Sequence, residues 1–294
     1  MKNILIMTLT LLAFLGCSSN NEKSDAYGNF ESNETIISSE VSGKIIVINF
    51  DKSDMVTEND TLAIIDPTQL KLKRESVVVQ KEILETNFVS IDTQIDVILE
   101  EKENLLREKR RAENLLENEA IPQKQLDDLN GNIEVINKKI ENVKSQKLVL
   151  KKQIKAQNIQ IKTIENLISK CYIKSPINGT VLDSFNKKGE VTAAGKPLFK
   201  IADLQTLKLT AYVSGTQLTE FRLGQNVTVL VDASATDLRE YPGRITFISD
   251  QAEFTPKVVQ TREQRTSLVY KIEVEVENDG SLKIGMPAEV NWAK

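Results

Sequence analysis

The sequence predicts an α+β chain of elongated, multi-domain build: a β-sandwich split in two by an inserted antiparallel coiled-coil α-hairpin, with more β-structure after it. Three observations carry this. Between Pro67 and Pro176 the only glycine is Gly131 and the only proline is Pro122. The stretches flanking that region repeat one another at a fixed offset. From residue 205 onward, segments such as QTLKLTAYVSG alternate apolar and polar residues, as half-buried strands do.

The chain starts MKNILIMTLTLLAFLGC. Lys2 precedes an apolar run of about 12 residues, too short to span a bilayer and suited to the core of a signal peptide. The ending Phe14-Leu15-Gly16-Cys17 resembles a bacterial lipobox, with phenylalanine where leucine is usual. The resemblance implies cleavage before Cys17 and attachment of lipid to its thiol. We therefore read 1–16 as a lipoprotein signal peptide and 17–33, opening SSNNEKSD after the cysteine, as a polar tether. Cys171 is left as an unpaired thiol expected to be buried.

The middle of the chain has helical periodicity. From Leu126 to Ile168, apolar residues recur at alternating steps of three and four, with Lys147 and Gln157 in two of the seats. A second stripe runs from Val77 to Leu116, with lysines at 81, 102 and 109. Spacing near 3.5 sustained over about six heptads keeps each stripe facing a partner helix. The two stretches match in length, each about 70 Å at 1.5 Å per residue. They are joined by Glu117-Asn118-Glu119-Ala120-Ile121-Pro122, and Pro122 suits a helix's first turn. An antiparallel hairpin over 68–170 follows, with its tip near 115–122.

The flanking repeat becomes visible when the chain is shifted by 136 residues. Gly43 then falls on Gly179, Ile45 on Val181, Ser53 on Gly189, Asn59 on Gly195, Leu62 on Leu198 and Ile65 on Ile201. Serine and asparagine tolerate turn conformations, so the replacements keep the pattern. We read Gly43, Gly179, Gly189 and Gly195 as turn formers. One half lies at 34–67, with the strand before it a candidate for the β-structure downstream, and the other half at 171–203. Neither half buries its apolar face alone.

Composition removes several function classes. The 294 residues include no histidine, so the commonest general base and metal ligand are missing. A net charge of −4 argues against nucleic acid. No nucleophile elbow or glycine-rich phosphate loop occurs. Halves of this kind build lipoyl and biotinyl carrier domains, yet Lys174, beside the junction with the hairpin, lacks the motif of a modified lysine. No catalytic residue, cofactor or metal is expected, and the chain is not read as an enzyme.

Two half motifs around a coiled-coil hairpin resemble the HlyD-like periplasmic membrane fusion (adaptor) proteins, here of lipoprotein type. The match extends to Glu253-Phe254-Thr255-Pro256-Lys257, Val259-Gln260-Thr261 and Gly285-Met286-Pro287-Ala288, with Ile284 where the family usually has proline. The resemblance implies a split lipoyl-like sandwich followed by a small β-barrel over 204–294. Little chain follows Pro287, so the extra membrane-proximal domain of some relatives is expected to be absent. The family role it implies is to link an inner-membrane transporter, ABC type ahead of RND type, to a TolC-like outer-membrane channel. A homo-oligomeric ring, hexameric by family habit, and a periplasmic location anchored to the inner membrane through Cys17 go with it. The family's tip pattern is an arginine, a leucine four residues on and a serine seven further. Arg111 and Leu115 fit it, Pro122 holds the serine position, and Asn118 lies between them as a further tip contact. A carrier-domain subunit and a coiled-coil envelope scaffold are the alternatives from other classes.

Overall fold

The 136-residue repeat reappears in the backbone. In the computed structural model, which describes residues 24–234, 237–254 and 268–292, Ser53 and Asn59 have φ of 74° and 71°. Their equivalents Gly189 and Gly195 have 97° and 85°. Four turns thus adopt left-handed backbone, two with glycine and two without. Hydrogen bonds repeat with them. The Asn59 N–H donates to Ser175 O at 2.8 Å, and the equivalent Gly195 N–H to Ser39 O at 2.7 Å. In return Ser175 and Ser39 each donate, at 2.9 Å, to Asp60 O and Lys196 O.

Two glycines behave differently from expectation. Gly43 and Gly179 are not turn residues but the first residues of strands, without positive φ. The constraint on them is space. A Cβ on Gly43 would lie 2.7 Å from Ile65 Cγ2, and one on Gly179 only 2.5 Å from Ala202 O.

The described residues divide into two compact units, within Met1–Thr35, Ile177–Leu182 and Lys200–Lys294 for the first, and Ile36–Pro176 with Asp183–Phe199 for the second. Strands β1 (Ala26–Glu31), β10 (Thr206–Ser214), β11 (Asn226–Asp232), β12 (Leu238–Phe254), β13 (Leu268–Glu277) and β14 (Pro287–Asn291) form a closed barrel. Its order is β1-β10-β13-β12-β11-β14. Phe30, Leu209, Ile245, Ile272 and Val290 fill it and are fully buried. Residues 26–31 are therefore a barrel strand, the candidate strand before residue 34, and the polar tether read over 17–33 is too long at its end. Ala26 and Phe30 point inward on the alternation of AYGNFE, and β1 pairs with both β10 and β14.

The sandwich strands are β2 (Glu34–Ser38), β3 (Gly43–Ile48), β4 (Met55–Val56), β5 (Thr61–Ile65), β6 (Tyr172–Lys174), β7 (Gly179–Ser184), β8 (Val191–Thr192) and β9 (Pro197–Ala202). One sheet has the order β2-β9-β7-β4 and the other β6-β5-β3-β8. The repeat maps one order onto the other strand by strand. Each sheet therefore takes two strands from each half, and the duplicated halves exchange strands.

Between β5 and β6 run α1 (Thr68–Glu117) and α2 (Gln123–Ser169). Asp66 launches α1: its carboxylate accepts the Thr68 hydroxyl at 2.5 Å and the Thr68 N–H at 2.9 Å, which hold it below the usual carboxylate range. Every seat of both predicted stripes is buried or half-buried, the seam lysines included. Lys147 pairs with Asp92 on the facing helix and sits 4.9 Å from the centre of the Phe88 ring. Arg74 Nε joins Glu165 Oε1 across the seam at 2.7 Å. No helix among the described residues is long and apolar enough to cross a membrane.

Candidate functional site at the hairpin tip

The tip is built by the end of α1. The Ala120 N–H donates to Leu115 O at 2.9 Å and the Glu119 N–H to Leu116 O at 2.9 Å. This is the paired bonding of a Schellman end, in which the residue after the cap turns left-handed. That residue is Glu119, at φ 55°, where glycine would be unstrained. Asn118 is the cap, and its Nδ2 donates back to Asn114 O at 2.7 Å. Pro122, with φ −75° and ψ 148°, caps α2 from the extended region rather than occupying its first turn. Its carbonyl accepts the Gln125 N–H at 3.0 Å.

The four predicted tip residues all lie within this small region. Arg111 and Leu115 line one groove of about 340 Å³ with Ala112, Ile121, Gln125 and Leu129. Leu115 is 47% exposed, a large apolar side chain left uncovered beside a charged one. Asn118 and Pro122 are exposed and do not line that groove. Ile121 and Glu119 escaped the sequence reading. Ile121 is detectable in hindsight as the apolar residue just before Pro122. Glu119 has no sequence signal, because glutamate carries no preference for left-handed backbone.

Other expected features fall elsewhere. Cys17 and residues 255–261 of the barrel-end segment lie outside the described residues. Lys174 ends β6, opposite Thr61 of β5, on an ordered sheet rather than a tight turn. Cys171 is 1% exposed, and burial, helped by the Asp66 charge, pushes its thiol up. Among the described residues no group of three or more His, Cys, Asp or Glu side chains could hold a metal.

The UPF0194 membrane protein in the asrC 5' region of Acidithiobacillus ferridurans is 32% identical over 142 residues, 48% of this chain and 41% of that one. The UPF0194 membrane protein YbhG of Salmonella gallinarum is 33% identical over 119 residues, 40% of this chain and 35% of that one. The match thus spans well under half the length of these curated relatives. The crystal structure of MacA from Actinobacillus actinomycetemcomitans covers 90% of this chain, and 76% of that one is covered in return. Its TM-score is 0.66 at 23% identity, a likeness of fold. Residues 33–204 match the family model described as RND MFP, barrel-sandwich hybrid domain. That match spans the whole duplicated sandwich and its hairpin, and the chain belongs to the membrane fusion protein (MFP) family.

Proposed function

We propose that the chain is a periplasmic adaptor of a tripartite efflux or secretion system, joining an inner-membrane transporter to a TolC-like outer-membrane channel. The observation that carries this reading is the tip groove. It places Leu115, exposed and apolar, next to the Arg111 guanidinium at the far end of a hairpin of 50- and 47-residue helices. An apolar anchor beside a five-donor fork suits a groove between partner helices lined with carbonyls or carboxylates. Asn118 and Pro122 flank that contact. The sandwich serves as a base for the hairpin, several copies form a ring, and Cys17 holds the lipid anchor. The role is mechanical and requires no catalytic group.

A photo-crosslinking amino acid at position 115, placed in the full chain in living cells, tests the reading. Capture of an outer-membrane channel protein is expected; capture of none sinks the tip assignment. Loss of acyl labelling in Cys17→Ser checks the anchor. The barrel-end resemblance favours an ABC transporter as the inner-membrane partner. The match of residues 33–204 to the barrel-sandwich hybrid domain of RND membrane fusion proteins favours an RND pump as the second reading. The transporter that copurifies with the tagged chain decides between them.

A further inference from the structure

Each sheet of the sandwich ends on a two-residue strand, β4 in one and β8 in the other. One residue of each strand faces the core: Val56 is 3% exposed and Thr192 1%. The other faces water, Met55 at 76% and Val191 at 70%, and these two are equivalents under the repeat. An apolar side chain so exposed on an unpaired sheet edge invites association.

The charges around the two edges are opposite in sign. Residues 49–61 carry Asp51, Asp54, Glu58 and Asp60 against Lys52 alone. Lys52 is already tied to Asp183 at 2.8 Å, so the remaining field at this edge is acidic. The Thr57 N–H and hydroxyl hold the Asp60 carboxyl below its usual range and keep it ionised. Residues 185–197 carry Lys187, Lys188 and Lys196 against Glu190 alone. Lys187 and Lys196 occupy the places of Asp51 and Asp60 in the repeat. Blocking edge-to-edge aggregation needs charge, and the same sign at both edges would serve best. Opposite signs at two equivalent edges instead meet the requirement of a head-to-tail contact, in which unlike surfaces of identical chains join and closure yields a ring.

We propose that the acidic β4 edge around Met55 is the docking surface for the basic β8 edge around Val191 of a second copy of this chain. The two apolar side chains form the centre of the contact, and the lysines and carboxylates set its direction. The proposal rests on the ring reading above and names the surfaces that ring would use.

Disulfide trapping with two differently tagged full-length chains, co-expressed in the cell envelope, tests it. One carries Met55→Cys and the other Val191→Cys; the unsubstituted chain, with Cys171 buried, supplies the background. A mixed-tag disulfide is expected. Its yield should fall about tenfold when Lys187→Glu and Lys188→Glu are added to the Val191→Cys chain. It should return when Asp51→Lys and Glu58→Lys are placed on the Met55→Cys chain. That swap also excludes misfolding as the cause of the loss. Like-with-like disulfides at equal yield, or a swap that restores nothing, overturn the proposal. An amine-reactive crosslinker separates the two levels. Oligomers without the mixed disulfide sink these surfaces and leave the ring intact, whereas monomers alone sink the ring and the proposal together.

Discussion

The barrel and the hairpin solve the burial problem in opposite ways. The barrel closes on itself, so it has no open edge, and Leu207, Leu209, Ile245, Ile272, Val274 and Val290 reach zero exposure or very near it. The hairpin has a single seam. Along α1 only Val77, Ile95 and Ala112 are buried, and along α2 only Ile136, Ile140, Val143 and Ile164. Large apolar residues such as Val89, Val97 and Leu148 stay more than half exposed. The barrel is a cooperative three-dimensional core, while the hairpin is a row of local contacts, each supported mainly by its neighbours. A segment of that kind opens in sections, and it leaves surface for other chains to cover.

The sharpest way to break this contrast is to cut a cavity in each. Leu209→Ala in the barrel is expected to cost about 2–5 kcal/mol, with the whole barrel losing stability in denaturant. Ile140→Ala in the seam is expected to cost about 1–3 kcal/mol. Amide hydrogen exchange should show its effect confined to about two turns on each helix. A global loss of protection from Ile140→Ala would show that the hairpin is as cooperative as the barrel. Next is Glu119→Gly, which relieves left-handed backbone at the tip and should stabilise the end of α1 by up to about 1 kcal/mol, read as slower exchange at Ala120. The smallest effect is expected from Asp92→Ala. It breaks the pair with Lys147, and because both side chains are about a third or more exposed, the cost should stay near 0.5 kcal/mol and shrink with added salt.

The hairpin was legible because its signal is long: a stripe at 3.5 spacing over more than 40 residues names its own partner. The repeat was legible in Gly43, Gly179, Leu62 and Leu198, whose spacing survives the 136-residue shift. Strand exchange was not, since the alternation of GKIIVI shows which face is buried but not which strand lies beside it. A strand before residue 34 was legible as a candidate for the barrel, but its bounds were not, because Gly28 takes an inward seat and weakens the alternation of AYGNFE. The space constraint on Gly43 and Gly179 was also hidden, since it depends on Ile65 and Ala202 approaching from other strands. At the tip, residue types pointed to Arg111 and Leu115, while the turn that groups them with Ile121 depends on a backbone conformation at Glu119 that its side chain does not announce.

The exchanged strands also set an order of events during synthesis. Strands β2 and β4 need β9 and β7 as neighbours, yet β7 starts 123 residues after β4 ends (56 to 179) and β9 starts 159 residues after β2 ends (38 to 197). Closing so distant a pairing is slow, whereas α1 and α2 zip from a tip only a few residues wide. A hairpin that forms first would act as a folding clamp. By drawing the end of β5 toward the start of β6, it turns a search over more than a hundred residues into one over a handful. Lengthening or shortening both helices by matched heptads would leave that clamp intact, while altering one helix alone would carry the mismatch into the sandwich.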